Sequence, residues 1–284
     1  MSSAKAFLVT GASTGIGEAT VRWLDRKGHQ VFAAVRRDED AARLRGLASP
    51  RLAAVRIDVT DQASIDSART TVESALGSRG LDGLVNNAGI AVTGPLEHIP
   101  ISALRRQFEV NVVGQLAVTQ AFLPLLRPTR GRIVLMGSIG GRMSTPFLGP
   151  YSASKFALEA IADALRVELR PWGIEVVILE PGSIATPIWR KGENDAAALS
   201  AALGPEAEED YGRAMKAMRE AAAATGRRGI PADVVAAVVE EALTAERPRP
   251  RYLVGRDARI RALMARILPD RVRDRLVARV LKLP

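Results

Sequence analysis

Cysteine is absent from the 284 residues, so the chain has no means of forming a disulfide or a thiolate metal site. A reducing intracellular compartment is compatible with that absence. Histidine is nearly missing too. His29 and His98 stand far apart and give no ligand spacing, so no metal site is expected. Aromatic residues make up 4% against 47% hydrophobic residues, which leaves aliphatic side chains and alanine to pack the core. No apolar run approaches the roughly 20 residues that span a bilayer. The opening MSSAKAFLVTGAS has no basic stretch leading into an apolar segment of signal-peptide length. The chain reads as cytoplasmic.

Net charge is +9, which invites a nucleic-acid reading. The distribution argues against it. Residues 247–284 hold twelve Arg or Lys and three Asp, and the preceding 246 residues balance at 28 basic and 28 acidic. The body is neutral and the tail is basic.

What the sequence does contain is alternation. Apolar strand-like runs at 5–10, 30–35, 52–57, 81–86, 131–138, 174–179 and 251–254 are separated by segments with helical spacing. Helices are predicted near 38–47, 61–77, 101–126, 150–170 and 231–245, with Thr60 or Asp61 as a cap and Pro171 as a stop. This order implies right-handed βαβ units and a parallel sheet covered on both faces. The expected fold is one doubly wound α/β domain of about seven strands over 1–256. A lid inserted at about 183–228 and a basic helical tail at 257–284 complete the organisation.

Gly11, Gly15 and Gly17 lie in Thr10-Gly-Ala-Ser-Thr-Gly-Ile-Gly17, where the first strand turns into the first helix. Gly11 suits the tight turn. Gly15 and Gly17 suit close approach of the backbone to a pyrophosphate at the helix N-terminus. The second strand ends in Arg36 and Arg37, whose guanidinium forks match a 2′-phosphate better than a ribose hydroxyl, and this favours NADP(H). Asp38, Glu39 and Asp40 fall where the next helix starts and suit capping. Asp58 ends the third strand and is placed either to reach the adenine edge or simply to form a turn. Asn86-Asn87-Ala88-Gly89 ends the fourth strand at the carboxyl edge, where open α/β sheets bind ligands.

The chemistry concentrates at Ser138, Tyr151 and Lys155. Four residues apart on a helix, Tyr151 and Lys155 share a face about 6 Å apart along the axis. The Lys155 ammonium is expected to lower the phenol's pKa toward working pH, as proton exchange with a substrate oxygen requires. Ser138 can hydrogen-bond that same oxygen, and Asn111 can hold a proton-relaying water.

These residues resemble the short-chain dehydrogenase/reductase family, compact branch. TGASTGIG (10–17), NNAG (86–89), Asn111, Ser138, YSASK (151–155) and PGSIATP (181–187) follow that family's motifs in order, over about residues 5–255. The resemblance implies catalytic roles for Asn111, Ser138, Tyr151 and Lys155. It implies cofactor contacts from Ser13, Thr14, Ile16, Val59, Asn87, Ala88 and Gly89. It also implies that Lys155 holds the nicotinamide ribose, that Pro181, Gly182 and Thr186 embrace the nicotinamide end, and that the chain forms a homodimer or homotetramer through its fourth and fifth helices.

The segments DALRVEL and LEPGSIAT are similar to steroid and retinol dehydrogenase-like members. The expected substrate is therefore a lipophilic alcohol or carbonyl compound, walled by Met143, Phe147, Leu148, Ile188, Trp189, Met215 and Met218. The rival readings are a non-catalytic NADP(H)-binding redox sensor and a sugar-nucleotide epimerase or dehydratase. The latter generally carries a larger C-terminal substrate domain.

In the tail, Ile260, Leu263, Met264, Ile267 and Leu268 form an apolar stripe, and Val272, Leu276, Val280 and Leu283 a second beyond Pro269. Three readings compete: packing on the body or a partner subunit, peripheral contact with an anionic membrane, and nucleic-acid binding. The last is the weakest, since no aromatic interleaves the arginines.

Overall fold

The computed structural model describes residues 4–47, 49–186, 204, 206–221, 223, 226 and 229–280. Among the described residues there are seven strands: β1 (Ala6–Val9), β2 (Gln30–Val35), β3 (Leu52–Arg56), β4 (Gly83–Asn86), β5 (Arg132–Met136), β6 (Glu175–Pro181) and β7 (Arg251–Val254). They form one parallel sheet in the order β3-β2-β1-β4-β5-β6-β7, the doubly wound architecture expected. The strand runs are apolar without interruption because both faces are covered. Along β1, Ala6 and Leu8 point into one layer while Phe7 and Val9 point into the other.

The first layer is filled from α3 (Gln62–Leu76), the helix spanning 101–126 and α6 (Gly149–Glu168), through Val72, Phe122 and Leu158. The second is filled from α1 (Gly15–Arg26), α2 (Asp38–Leu47) and α8 (Ala232–Thr244), through Leu24, Leu44 and Val239. Asp61 caps α3 by accepting the Ala63 N–H at 3.0 Å.

The helix over 101–126 is not uniform. It runs as α4 (Ile101–Phe108), a π turn (Glu109–Val113) and α5 (Gly114–Leu126). Its length and composition would allow it to cross a membrane. Here Val118, Phe122 and Leu126 are fully buried against the sheet. Gly114 is needed for that approach, since a Cβ there would lie 2.6 Å from the Val59 carbonyl oxygen.

Of the lid expected at 183–228, residues 187–203 lie outside the described residues, Ile188 and Trp189 among them. Residues 206–221 are helical (α7). The basic tail forms α9 (Arg256–Ile267) and α10 (Asp270–Val280), parted at Pro269.

Strand order reverses between β1 and β4, so a crevice opens beyond their carboxyl ends. The glycine turn follows β1, and Asn86–Gly89 follows β4.

Candidate active site

The two loops at the crevice are stitched together. The Thr10 hydroxyl oxygen accepts the Asn87 and Ala88 N–H groups at 2.9 and 3.0 Å. In return, the Asn87 amide donates to the Thr10 and Gly11 carbonyls. Gly11 and Gly15 hold φ at +64° and +61°, a region that L side chains rarely adopt. A Cβ on Gly17 would lie 2.2 Å from the Gly11 carbonyl oxygen. The result is a side-chain-free cradle at the start of α1, whose first-turn amides have no carbonyl one turn back to bond. A pyrophosphate fits that donor set.

At the end of β2, Arg36 and Arg37 are exposed, and Asp38, Glu39 and Asp40 occupy the first turn of α2. Asp58 forms a turn. Burial opposes its ionisation, but hydrogen bonds from the Thr60 hydroxyl and amide, helped by Arg36 and Arg56, hold its carboxyl below the usual range.

Ser138, Tyr151 and Lys155 converge beyond β5. Ser138 caps the short turn Ile139–Gly141 by accepting the Gly140 N–H at 3.0 Å, and its hydroxyl is also hydrogen-bonded to the Tyr151 phenol. Lys155 is buried one turn along α6. Its Nζ donates to the Met136 carbonyl at 2.7 Å and lies 5.6 Å from the centre of the Tyr151 ring.

The electrostatics differ from expectation. Burial raises the Tyr151 pKa above its ordinary value, against the opposing influences of the Ser138 hydrogen bond and the charge of Arg261. Lys155 faces the ring while bonded to a strand-end carbonyl. It is itself desolvated, which lowers its pKa to about 8.

Asn111 sits in the π turn, fully buried. Its Oδ1 accepts the Ile90 N–H at 2.9 Å, and its Nδ2 donates to the Ile90 carbonyl and the Ser154 hydroxyl. It thereby ties the loop after Gly89 to α6, in place of the exposed side chain usual for an Asn within a helix. Pro181 ends β6, Gly182 donates to the Val254 carbonyl, and Thr186 lies half-buried at the end of the described segment.

A model for the short chain dehydrogenase family matches residues 5–197, spanning the glycine turn, the four polar residues and the loop after β6. The chain belongs to the short-chain dehydrogenase family. The NADPH-dependent 3-dehydrocapnine reductase of Ornithobacterium rhinotracheale is 38% identical over 280 residues, covering 97% of this chain and 96% of that protein. Retinol dehydrogenase 5 of Mus musculus is 37% identical over 285 residues, covering 97% and 88%. A crystal structure of a short-chain dehydrogenase from Streptomyces avermitilis superposes with a TM-score of 0.77 at 31% identity, over 97% and 96% of the two chains. This short-chain dehydrogenase is an oxidoreductase that uses a nicotinamide cofactor and acts on an alcohol or carbonyl carbon.

Several residues of the dehydrogenase that the sequence pattern did not single out lie around this site. Arg43 donates to the Ser13 carbonyl in the glycine turn and pairs with Glu18 at 3.1 Å. Asp257, at the start of α9, accepts the Ser183 N–H and hydroxyl at 2.7 and 2.6 Å, clamping that helix to the loop after β6. A Cβ on Gly182 would lie 2.3 Å from that carboxylate. Behind Lys155, Glu159 and Glu180 share Arg142 and Arg251.

Of the residues expected to wall the substrate, Met143 and Met215 are buried, and Leu148 and Met218 are half-buried. Phe147 holds φ at +65° and stacks edge-on to Tyr211 of α7.

Proposed function

We propose that this dehydrogenase interconverts a lipophilic ketone or aldehyde and its alcohol, with NADP(H) as the preferred cofactor. The observation that carries this reading is the meeting of Ser138, Tyr151 and Lys155 beside a glycine cradle at the strand-order reversal.

NADPH, when bound, supplies the hydride. The Tyr151 hydroxyl gives its proton to the carbonyl oxygen, and its raised pKa suits it to remain the acid at neutral pH. Ser138, already bonded to that phenol, orients the same oxygen. Lys155 holds the ribose and offers positive charge as the phenolate forms. The buried bonds of Asn111 to Ile90 and Ser154 fix the loop and helix between which the substrate sits.

Arg36 and Arg37 receive the 2′-phosphate, a reading supported by the NADPH-dependent relative. A lipophilic substrate is supported by Met143, Met215 and Phe147, and by the relative named a retinol dehydrogenase.

The test is Tyr151→Phe. Turnover should collapse by about three orders of magnitude or more, while NADPH still quenches protein fluorescence with near wild-type affinity. A variant that keeps turning over sinks the mechanism. A wild-type protein that binds NADPH but transfers no hydride to any carbonyl supports the redox-sensor reading instead.

Two assembly features complete the proposal. Exposed Val113, Phe156 and Val167 on helices 101–126 and 149–168 support pairing of two copies there. Ile260, Leu263 and Ile267 are exposed on α9, as are Val272 and Leu276 on α10, amid arginines; this supports peripheral contact with an anionic membrane.

A further inference from the structure

Arg261 is a charged group to which hydride transfer assigns no task. It comes from α9, in the basic tail, yet its side chain is half-buried and its charge is felt at the Tyr151 phenol. Its Nη2 donates to the Met143 carbonyl at 3.2 Å and to the Thr145 hydroxyl at 3.0 Å. Both partners are neutral. They lie on the segment that links Ser138 to Tyr151, so the guanidinium is anchored on the wall of the reaction site.

Asp257, one turn earlier, has its carboxylate engaged by Ser183. Among the described residues no carboxylate comes within ion-pair distance of Arg261. Desolvation lowers its pKa despite Asp257 and Tyr151. A partly desolvated cation whose hydrogen bonds go to neutral groups, with the Asp257 charge acting from beyond ion-pair distance, can accept a closer anion, and a guanidinium fork matches a planar oxoanion.

We infer that Arg261 binds an anionic oxygen-bearing group of the substrate, carried within a few bonds of the carbonyl carbon that is reduced. The inference rests on the function proposed above and narrows it: the substrate is an acidic lipophilic ketone. Two features favour a recognition role over a loop brace. The contacts to Met143 and Thr145 occupy one terminal nitrogen, and among the described residues the remaining N–H donors of the fork have no hydrogen-bond partner, which leaves them for a ligand. The helix is also held in register by the Asp257–Ser183 clamp and by burial of Ala258, so the guanidinium sits on a fixed element.

The experiment compares 3-oxodecanoate with its methyl ester as substrates for the NADPH-loaded enzyme. Wild-type protein should favour the carboxylate by about tenfold or more in kcat/KM, and added salt should shrink the preference. Arg261→Met should bring the ratio close to one by raising KM for the carboxylate, and Arg261→Lys should retain part of it. Equal use of both ketones by the wild type, or an Arg261→Met variant that slows both alike and keeps the ratio, overturns the inference and leaves the reductase reading standing. Turnover of neither ketone overturns both. Should Arg261→Met fail to fold, as judged by loss of NADPH binding, Thr145→Val replaces it by unseating the fork. An unchanged ratio in that variant also overturns the inference.

Discussion

A buried phenol resists ionising, and a buried ammonium resists staying charged. Tyr151 and Lys155 face one another under both pressures. The pair is therefore poised toward neutral Tyr151, with Lys155 losing its proton near pH 8. If the Lys155 charge helps hold the cofactor ribose, NADPH affinity should be level below neutrality and weaken as pH rises past about 8. Lys155→Met should abolish that pH dependence, which a fluorescence titration across pH reads directly. A wild-type affinity that stays level to pH 10 would count against the role.

Gly17 sets a steric limit at the same scale. Its added Cβ would meet the Gly11 carbonyl at 2.2 Å and the Asn87 amide at 2.5 Å. Gly17→Ala should cost about 1–3 kcal/mol in urea unfolding and weaken NADPH binding. Unchanged stability would mean that the turn relaxes more freely than its hydrogen bonds suggest.

At the scale of elements, α6 carries Tyr151 and Lys155 at one end and a charge cluster behind them. Burial and the facing Glu180 raise the Glu159 carboxyl from 4.5 to about 7, against the pull of Arg142 and Arg251. The folded state thus holds a proton that the unfolded chain releases. The associated stability is complete below about pH 4.5 and is lost as pH rises through about 7. Glu159→Gln should be the more stable protein at pH 8, by an amount on the order of 1 kcal/mol or more, and the gap should close toward pH 5. Parallel urea melts that show a constant gap would exclude this account.

The elements themselves were largely legible in the sequence. β2, β7 and α2 fall at the residues that apolar runs and acidic caps mark, because those signals are local. The glycine turn and the Ser138, Tyr151 and Lys155 cluster were legible for the same reason. The π turn at Asn111 was not, since one extra residue in a helical turn leaves the apolar spacing almost intact. Nor was Arg261, whose partners lie 118 and 116 residues away. Periodicity also identified an apolar stripe on α9 without saying which way it faces. Ala258 and Arg261 turn toward the body, and Ile260, Leu263 and Ile267 turn outward.

For the whole molecule, the uneven charge is the governing feature: a neutral body ends in a segment of nine excess positive charges. Vesicles containing anionic lipid should sediment the protein at low salt and release it as salt rises, whereas neutral vesicles should retain little. Leu263→Asp with Ile267→Asp should weaken the interaction about tenfold or more while NADPH binding persists. Equal binding to neutral and anionic vesicles, or none to either, would remove the membrane proposal. A truncation for this purpose belongs after Leu268 and not at 257, because the earlier cut removes Asp257 and Arg261 as well.

The clamp between Asp257 and Ser183 has a thermodynamic corollary. It joins the loop after β6, proposed to embrace the nicotinamide, to the helix whose outer face would meet lipid. If the clamp couples the two, the factor by which a bilayer changes NADPH affinity must equal the factor by which NADPH changes affinity for the bilayer. Occupancy of the cofactor and residence on a membrane would then be linked equilibria.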